Sequence, residues 1–331
     1  MARIFALSGV VIGVIVAVFA ALIITVHVID WSAHRTWVAS WLSHQLDRDV
    51  RIERDLDIVL FPAPEVVAKG LVIGSKFPSE DSDFAHIGYG KWRLDISALL
   101  RGELLFSLIS LSETQILLPN AQQVGSKFFL PVQRIELNAV TIDIESIGPV
   151  PVSITKGVII RDAAVPRAKV TMSGQLGEQS LSIAGAVGWR ETIDRVDLVA
   201  IDLTVDMEST VASVRGRINH LTRQNDLELA LQIQTTNFDR LAAWWGWSFP
   251  EPVERYLEGS TTLAGTLRGA LGGDLRFDIE HMDLKVPHAA VILHGDLSRA
   301  ALDDSWRARV AVRASTVDLG RLLPERANVG G

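Results

Sequence analysis

The chain has 331 residues, a formal net charge of −7 and no cysteine. The acidic balance, with no Lys/Arg cluster along the chain, argues against a phosphate-binding surface and a nucleic-acid partner. The missing cysteines exclude disulfides, thiolate zinc sites and cysteine nucleophiles.

Residues 1–3 are a short tail carrying Arg3, and Ile4 to Ile29 then run without a single Asp, Glu, Lys or Arg. As a helix this run reaches roughly 39 Å at about 1.5 Å per residue, more than the roughly 30 Å hydrocarbon core of a bilayer. The rival is a cleaved signal peptide, with Val18-Phe19-Ala20 as a small-residue cleavage site. Signal cores stop at about 7–15 apolar residues, and this run continues past Ala20. A retained transmembrane anchor over 4–29 is therefore expected. Trp31, Trp37 and Trp41 follow it. Indole rings favour the headgroup level, which makes these three candidate membrane-interface anchors. Arg3 and the amino terminus, set against Asp30, Arg35, Asp47, Arg48 and Asp49, lean to an amino terminus inside. The expected topology is a single-pass bacterial inner-membrane protein with the bulk of the chain in the periplasm.

Within residues 30–48, Trp37, Val38, Trp41, Leu42 and Leu46 recur at helical spacing, with Arg35, Ser40, Ser43 and His44 on other faces. This predicts a short juxtamembrane amphipathic helix, lying either on the membrane surface or on the end of a sheet. Asp47 to Asp49 end it.

From Val50 the period changes to two. Val50 and Ile52 alternate with Arg51 and Glu53, and Pro62 and Pro64 break the run that ends near Leu60. Later strands alternate in the same way, most clearly Leu227/Leu229/Leu231/Ile233, with Glu228, Ala230 and Gln232 between them. Leu275/Phe277/Ile279 and Trp306/Ala308/Val310/Val312 complete the series. At Asn138-Ala139 the apolar phase shifts, which suggests a β-bulge. An apolar-x-Gly-x-apolar pattern recurs around Gly174, Gly216, Gly265 and Gly295. Glycine inside a strand often marks a bend or a close backbone approach, and four copies suggest repeated hairpins of one curved sheet. A second helical stretch is expected from Asn237, a cap for Phe238 to Trp245, with Pro252 opening a further turn. Trp244, Trp245 and Trp247 there either line a ligand mouth or plug the end of a β core. No low-complexity linker marks a boundary, so residues 49–331 read as one β domain.

Two short helices cannot cover a sheet of roughly 18–20 amphipathic strands, which would run about 85–95 Å if left open. The apolar faces must cover one another in a sandwich or barrel, or face something apolar that is not protein. For a membrane-tethered chain the second option suggests lipid.

No catalytic chemistry is legible. The eight histidines form no HExxH or H-x-E pattern, and there is no G-x-S-x-G elbow and no phosphate loop. Gly269-Ala-Leu-Gly-Gly273 reads as a hairpin turn, and Asp303-Asp304 as turn residues. No catalytic, metal or cofactor site is expected, and the chain is read as a non-enzyme.

The order of these patterns resembles the AsmA family of envelope proteins. The resemblance rests on the apolar run and following helix, then Arg48-Asp-Val50-Arg-Ile52, Leu60-Phe-Pro62-Ala-Pro64-Glu-Val66 and Gly70-Leu-Val-Ile-Gly74. It continues through Trp92-Arg-Leu94-Asp-Ile96-Ser-Ala-Leu99-Leu100-Arg-Gly102-Glu-Leu104, Ile135 to Ile142, Asn237 to Leu241, and Ser315 to Pro324. Asp47 stands where the family usually has glycine. Members generally continue beyond the point where this chain stops at Gly331, which reads as a short member or a truncated one. The resemblance implies a mainly β fold: one amino-terminal transmembrane helix, then a curved, elongated antiparallel sheet (a repeating β-groove) with one or two short helices. It also implies a part in phospholipid movement and outer-membrane biogenesis.

Two functions follow as expectations. The first is an anchored groove that holds or passes phospholipid, lined by Leu229, Leu231, Ile233, Phe277 and Ile279. The second is a closed, dry scaffold acting on outer-membrane protein assembly and protein targeting through an envelope protein partner at an edge strand. Water-facing apolar residues favour the first, fully buried ones the second.

Overall fold

The structure, a computed structural model, describes residues 30–46, 48–61, 63–74, 83–103, 105–118, 132–144, 151–192, 195–219, 226–237, 259–270, 274–286, 289–300 and 303–317. The run Ile4–Ile29, the 1–3 tail and the Phe238–Trp247 helix expected from the sequence lie outside the described residues. Among the described residues no helix is long and apolar enough to cross a membrane.

The chain is mainly β and divides into two compact units. The first comprises residues 1–117 and 130–141, the second residues 118–129 and 142–331. Sixteen strands are described, short of the number expected, because many run ten to fifteen residues.

In the first unit a 3-10 turn at Trp31–His34 leads into α1 (Arg35–Leu46). The Asp30 carboxylate accepts from the Ser32 N–H at 3.1 Å and caps the turn. Then come β1 (Val50–Ile52), β2 (Leu56–Val59), β3 (Glu65–Ile73), β4 (Ala85–Leu94), the one-turn helix α2 (Ile96–Leu100), β5 (Phe106–Leu118) and β6 (Arg134–Ile144). Both β1 and β2 pair antiparallel with β3, the first near its carboxyl end and the second near its amino end. The core is the alternation seen in the sequence: Val50, Ile52, Leu56, Ala68, Leu71 and Ile87 are buried under Ala39 of α1, with Val38 and Leu42 packed beside it. The Ser43 hydroxyl donates to the Ala39 carbonyl at 2.8 Å and accepts from the Val50 N–H at 2.9 Å, which fixes α1 on β1. Arg48 lies over the Phe84 ring, 4.2 Å from its centroid, and burial lowers its pKa from the ordinary guanidinium value.

The apolar residues of α1 do not form one covered face: Val38 and Leu42 turn inward, whereas Trp37 and Trp41 stay 68% and 54% exposed. Their combined stripe is wider than the small sheet beneath can cover.

Glu65 on β3 shows how this unit handles charge. Burial raises its pKa, yet hydrogen bonds and charges from Lys91 (2.7 Å) and Arg93 (3.0 Å) outweigh that and hold it below the usual carboxylate range. At Ala139 the backbone takes φ 51°, a left-handed conformation, at the position where the sequence phase shifts.

The second unit holds β7 (Val152–Arg161), β8 (Arg167–Leu176), β9 (Gln179–Thr192), β10 (Arg195–Met207), β11 (Thr210–Asn219), β12 (Asp226–Thr235), β13 (Ser260–Ala270), β14 (Leu275–Val286), β15 (Ala289–Ala300) and β16 (Asp303–Val317). Each pairs antiparallel with the next in chain order, and β7 and β16 do not pair with each other, so the sheet is open. Asp303-Asp304, expected in a turn, begin β16 instead: Asp303 already pairs with Ala300, so the strand starts earlier than turn-favouring residues suggest.

Candidate functional site

In an antiparallel sheet, directly paired residues share a face, as do residues two apart on one strand. That rule places all five groove-lining candidates together in the second unit. Leu229, Leu231 and Ile233 alternate along β12 and pair with Leu267, Gly265 and Leu263 on β13. On the far side of β13, Leu267 pairs with Phe277 and Gly265 with Ile279. The five side chains therefore stand on one face across three neighbouring strands.

The face continues in both directions. Toward β11, Leu231 pairs with Val214 and Ile233 with Ala212, and Val214 pairs on with Leu203 of β10. Toward β15, Phe277 pairs with Leu297 and Met282 with Leu293. Met282 was not legible as part of this face, because the sequence phase of β14 points it away. A register shift between Ile279 and Met282 restores it: Leu263 pairs with Met282, so the apolar face continues through Leu284.

Burial along the face is graded. Ile233, Leu263 and Met282 are buried and form a small cluster, with Phe277, Ile279 and Leu293 packed against it. Leu227, at the other end of β12, is buried, Leu229 and Leu231 are half-buried, and Val310 and Val312 on β16 are exposed. At the same end as that cluster the face changes character. Thr210, Thr235 and Thr261 stand in line across β11, β12 and β13 and are all buried. Thr210 donates to Thr235 at 2.8 Å, and Thr235 hydrogen-bonds the Asn237 backbone. Thr261 Oγ1 is buried with no hydrogen-bond partner among the described residues.

The opposite face is charged. Arg215 meets Asp202 at 2.9 Å, Arg217 meets Glu228 at 2.8 Å, and Asp278 takes both Arg268 (3.0 Å) and Arg276 (2.6 Å). These pairs are largely exposed and contribute little stability each, but they mark which side of the sheet belongs to water. A depression of about 710 Å³ bounded by Arg167, Lys169, Asp202 and Thr204 lies on this charged side.

Two of the recurring glycines explain how the face is shaped. A Cβ on Gly265 would lie 2.8 Å from the Phe277 ring, which leans over the glycine and fills its place. At Gly216, φ is 157° and a Cβ would come within 2.0 Å of the Glu228 carbonyl oxygen. The backbone there is rotated so that a side chain would point into the neighbouring strand, the local geometry of a bend.

In the first unit the three tryptophan candidates separate. Trp31 packs against the core, while Trp37 and Trp41, with Ser40, Ser43 and His44, border a depression of about 540 Å³ on the outer side of α1. Among the described residues no group of His, Asp or Glu is placed to hold a metal ion. His281 and His294 approach each other at 5.9 Å between ring centroids, and His281 pairs with Asp283 at 2.9 Å.

The AsmA family model matches residues 1–126. Over those residues the chain is similar to the AsmA family. No curated protein matches the chain. The matched segment takes in the helix-capped core of the first unit, the Phe61–Pro64 break and α2. The AsmA-like patterns read at Ile135–Ile142, Asn237–Leu241 and Ser315–Pro324 lie beyond it, as does the apolar face of β7–β16. A segment similar to the AsmA family together with an open antiparallel sheet is consistent with an envelope-biogenesis protein.

Proposed function

We propose that the chain is a non-enzymatic, inner-membrane-anchored periplasmic protein that holds or passes phospholipid acyl chains along the apolar face of β7–β16. The observation that carries this reading is the register: Leu229, Leu231, Ile233, Phe277 and Ile279 form part of one continuous apolar face, backed by a charged face, on a sheet that does not close. A half-buried apolar face loses contact with water when an acyl chain lies along it, at about 25 cal/mol per Å² of apolar area covered. The AsmA match supports the envelope setting, and the run Ile4–Ile29, which carries no Asp, Glu, Lys or Arg, supports the tether.

One observation favours the second reading, a dry scaffold for outer-membrane protein assembly: Ile233, Leu263 and Met282 are already buried. Leu227, at the other end of β12, is buried as well, whereas Leu229 and Leu231 between them stay half-buried.

The test is transfer of fluorescent phospholipid from donor to acceptor vesicles by the full chain, comparing Leu231→Arg with Gln232→Arg on the opposite face. An unpaired cation among acyl chains costs about 2.5–3.5 kcal/mol, or roughly 100-fold in occupancy. Leu231→Arg abolishes transfer and Gln232→Arg spares it if the face carries lipid. Equal rates for the two variants would leave the scaffold as the better account.

A further inference from the structure

Among the described residues of the first unit, the exposed large apolar side chains fall at two places, the outer side of α1 and one end of the sheet. At that end Phe61 is 68% exposed and Leu100 81%, with Ile96 and Leu99 also exposed. They come from two segments that the backbone ties together. The Pro64 carbonyl accepts from the Leu94 N–H at 2.8 Å, which sets Pro64, three residues on from Phe61, beside the start of α2.

The local sequence makes α2 a rigid support. Asp95 caps it by accepting from the Ala98 N–H at 3.0 Å, and the Gln133 side chain holds the other carboxylate oxygen at 2.9 Å. Its far end closes with Glu103 N–H on the Ala98 carbonyl and Gly102 N–H on the Leu99 carbonyl, Gly102 taking φ 80°. Ala98 is fully buried and is the inward-facing position of this single turn. Ile96, Leu99 and Leu100 are thereby fixed outward. A five-residue turn capped at both ends, with three apolar residues facing away from the core, gains nothing from that arrangement in water.

The path of the chain identifies the occupant. Asp30 follows directly on the apolar run Ile4–Ile29. The Ser32 hydroxyl donates to the Leu56 carbonyl at 3.4 Å, at the first residue of β2. From there α1 runs back toward Val50, where Ser43 is bonded, whereas β2 leads the other way to Phe61. Five residues from Leu56 to Phe61 cover roughly 16 Å of extended chain. The amino end of α1, where the apolar run joins, thus faces the half of the sheet that leads to the exposed Phe61, Leu99 and Leu100.

We propose that Phe61 and α2 form a membrane-docking tip, with Phe61, Leu99 and Leu100 seated in the headgroup–acyl boundary of the bilayer that holds the apolar run. The inference rests on the reading of Ile4–Ile29 as an anchor. It adds a second, non-covalent contact that fixes how the first unit stands on the membrane.

The chain has no cysteine, so single cysteines report cleanly. The full chain is reconstituted in phosphatidylcholine–phosphatidylglycerol vesicles, with an environment-sensitive fluorophore at Phe61→Cys, Leu100→Cys, Gln115→Cys or Ala17→Cys. Gln115 is exposed on β5, where it pairs with His86 near the opposite end of the unit. The quencher is a nitroxide near the headgroup end of the lipid acyl chain, matched to a seating depth of about 5–10 Å. The expected result is at least about twofold quenching at Phe61 and Leu100, with none at Gln115, as that depth requires. Labels at Phe61 and Leu100 as water-exposed as Gln115 would overturn the tip, as would equal quenching at all three. If the tip fails, Ala17 separates the causes. Quenching there leaves the anchor standing, and none removes the anchor as well.

Discussion

Gly216 offers a sharp test of how the apolar face is built. A Cβ at this position meets only backbone: the Glu228 oxygen at 2.0 Å, its carbon at 2.9 Å and Leu229 Cα at 2.9 Å. None of these can swing aside as a flexible side chain could. Overpacking of this kind costs about 1–3 kcal/mol, and the φ of 157° adds strain for any L side chain. Alanine recovers about 0.5–1 kcal/mol of backbone entropy. The net expectation for Gly216→Ala is a loss of about 2–3 kcal/mol, centred on the β11–β12 hairpin. Gly188 on β9 is the matched control, since a Cβ there meets Pro166 O at 3.7 Å and Ala200 Cβ at 3.8 Å, ordinary contacts. With two units, global unfolding need not be two-state, so hydrogen exchange of the β11–β12 amides is the appropriate assay. Gly216→Ala should speed their exchange roughly 30- to 150-fold, and Gly188→Ala should leave β9 unchanged or slower. Equal effects of the two substitutions would refute the close-approach argument.

Three other outcomes follow from the same geometry. Because Glu65 has a depressed pKa, the stability it lends the first unit is full above the ordinary glutamate value of 4.5 and is lost as pH falls through the depressed one. Glu65→Gln should flatten that acid-side loss, by about 0.5–1 kcal/mol given the partial exposure of Lys91 and Arg93, read by exchange of β3 and β4 amides against pH. Thr210→Val breaks a buried 2.8 Å hydroxyl contact and should cost about 1 kcal/mol, whereas Thr261→Val removes a hydroxyl with no partner among the described residues and should be neutral or stabilising by up to about 1 kcal/mol. Gly102→Ala, at φ 80° with nothing within 4 Å, should loosen α2 by about 1 kcal/mol through backbone strain alone, visible as faster exchange at Leu99 to Glu103.

Much of the strand layout was legible because alternation with period two is a direct image of a sheet with one apolar face. Leu227 to Ile233 fixed its own face without help from the rest of the chain. The recurring glycines also carried their meaning: Gly216 and Gly265 sit where backbone or an aromatic ring leaves no room for a side chain. Met282 was hidden because a bulge reverses the phase within β14, and phase is all that a strand shows in sequence. The buried threonine line across β11, β12 and β13 was invisible for a different reason, since register joins residues that are far apart in the chain. Trp37 and Trp41 could not be separated from Val38 and Leu42 by spacing alone. Only the width of the sheet beneath α1 decides which of them it covers. The exposure of Leu99 and Leu100 depends on Ala98 taking the one inward place.

The central claim is that the apolar face of β12–β14 touches lipid. A photo-crosslinking residue placed in cells at Leu231, with Gln232 as the opposite-face control, tests it most directly. Gln232 pairs with Ser213 and Ala264 on the charged side and is exposed. Phospholipid captured at Leu231 and absent at Gln232 is the predicted result. Protein adducts alone at Leu231, or none at either position, would contradict a lipid-bearing face.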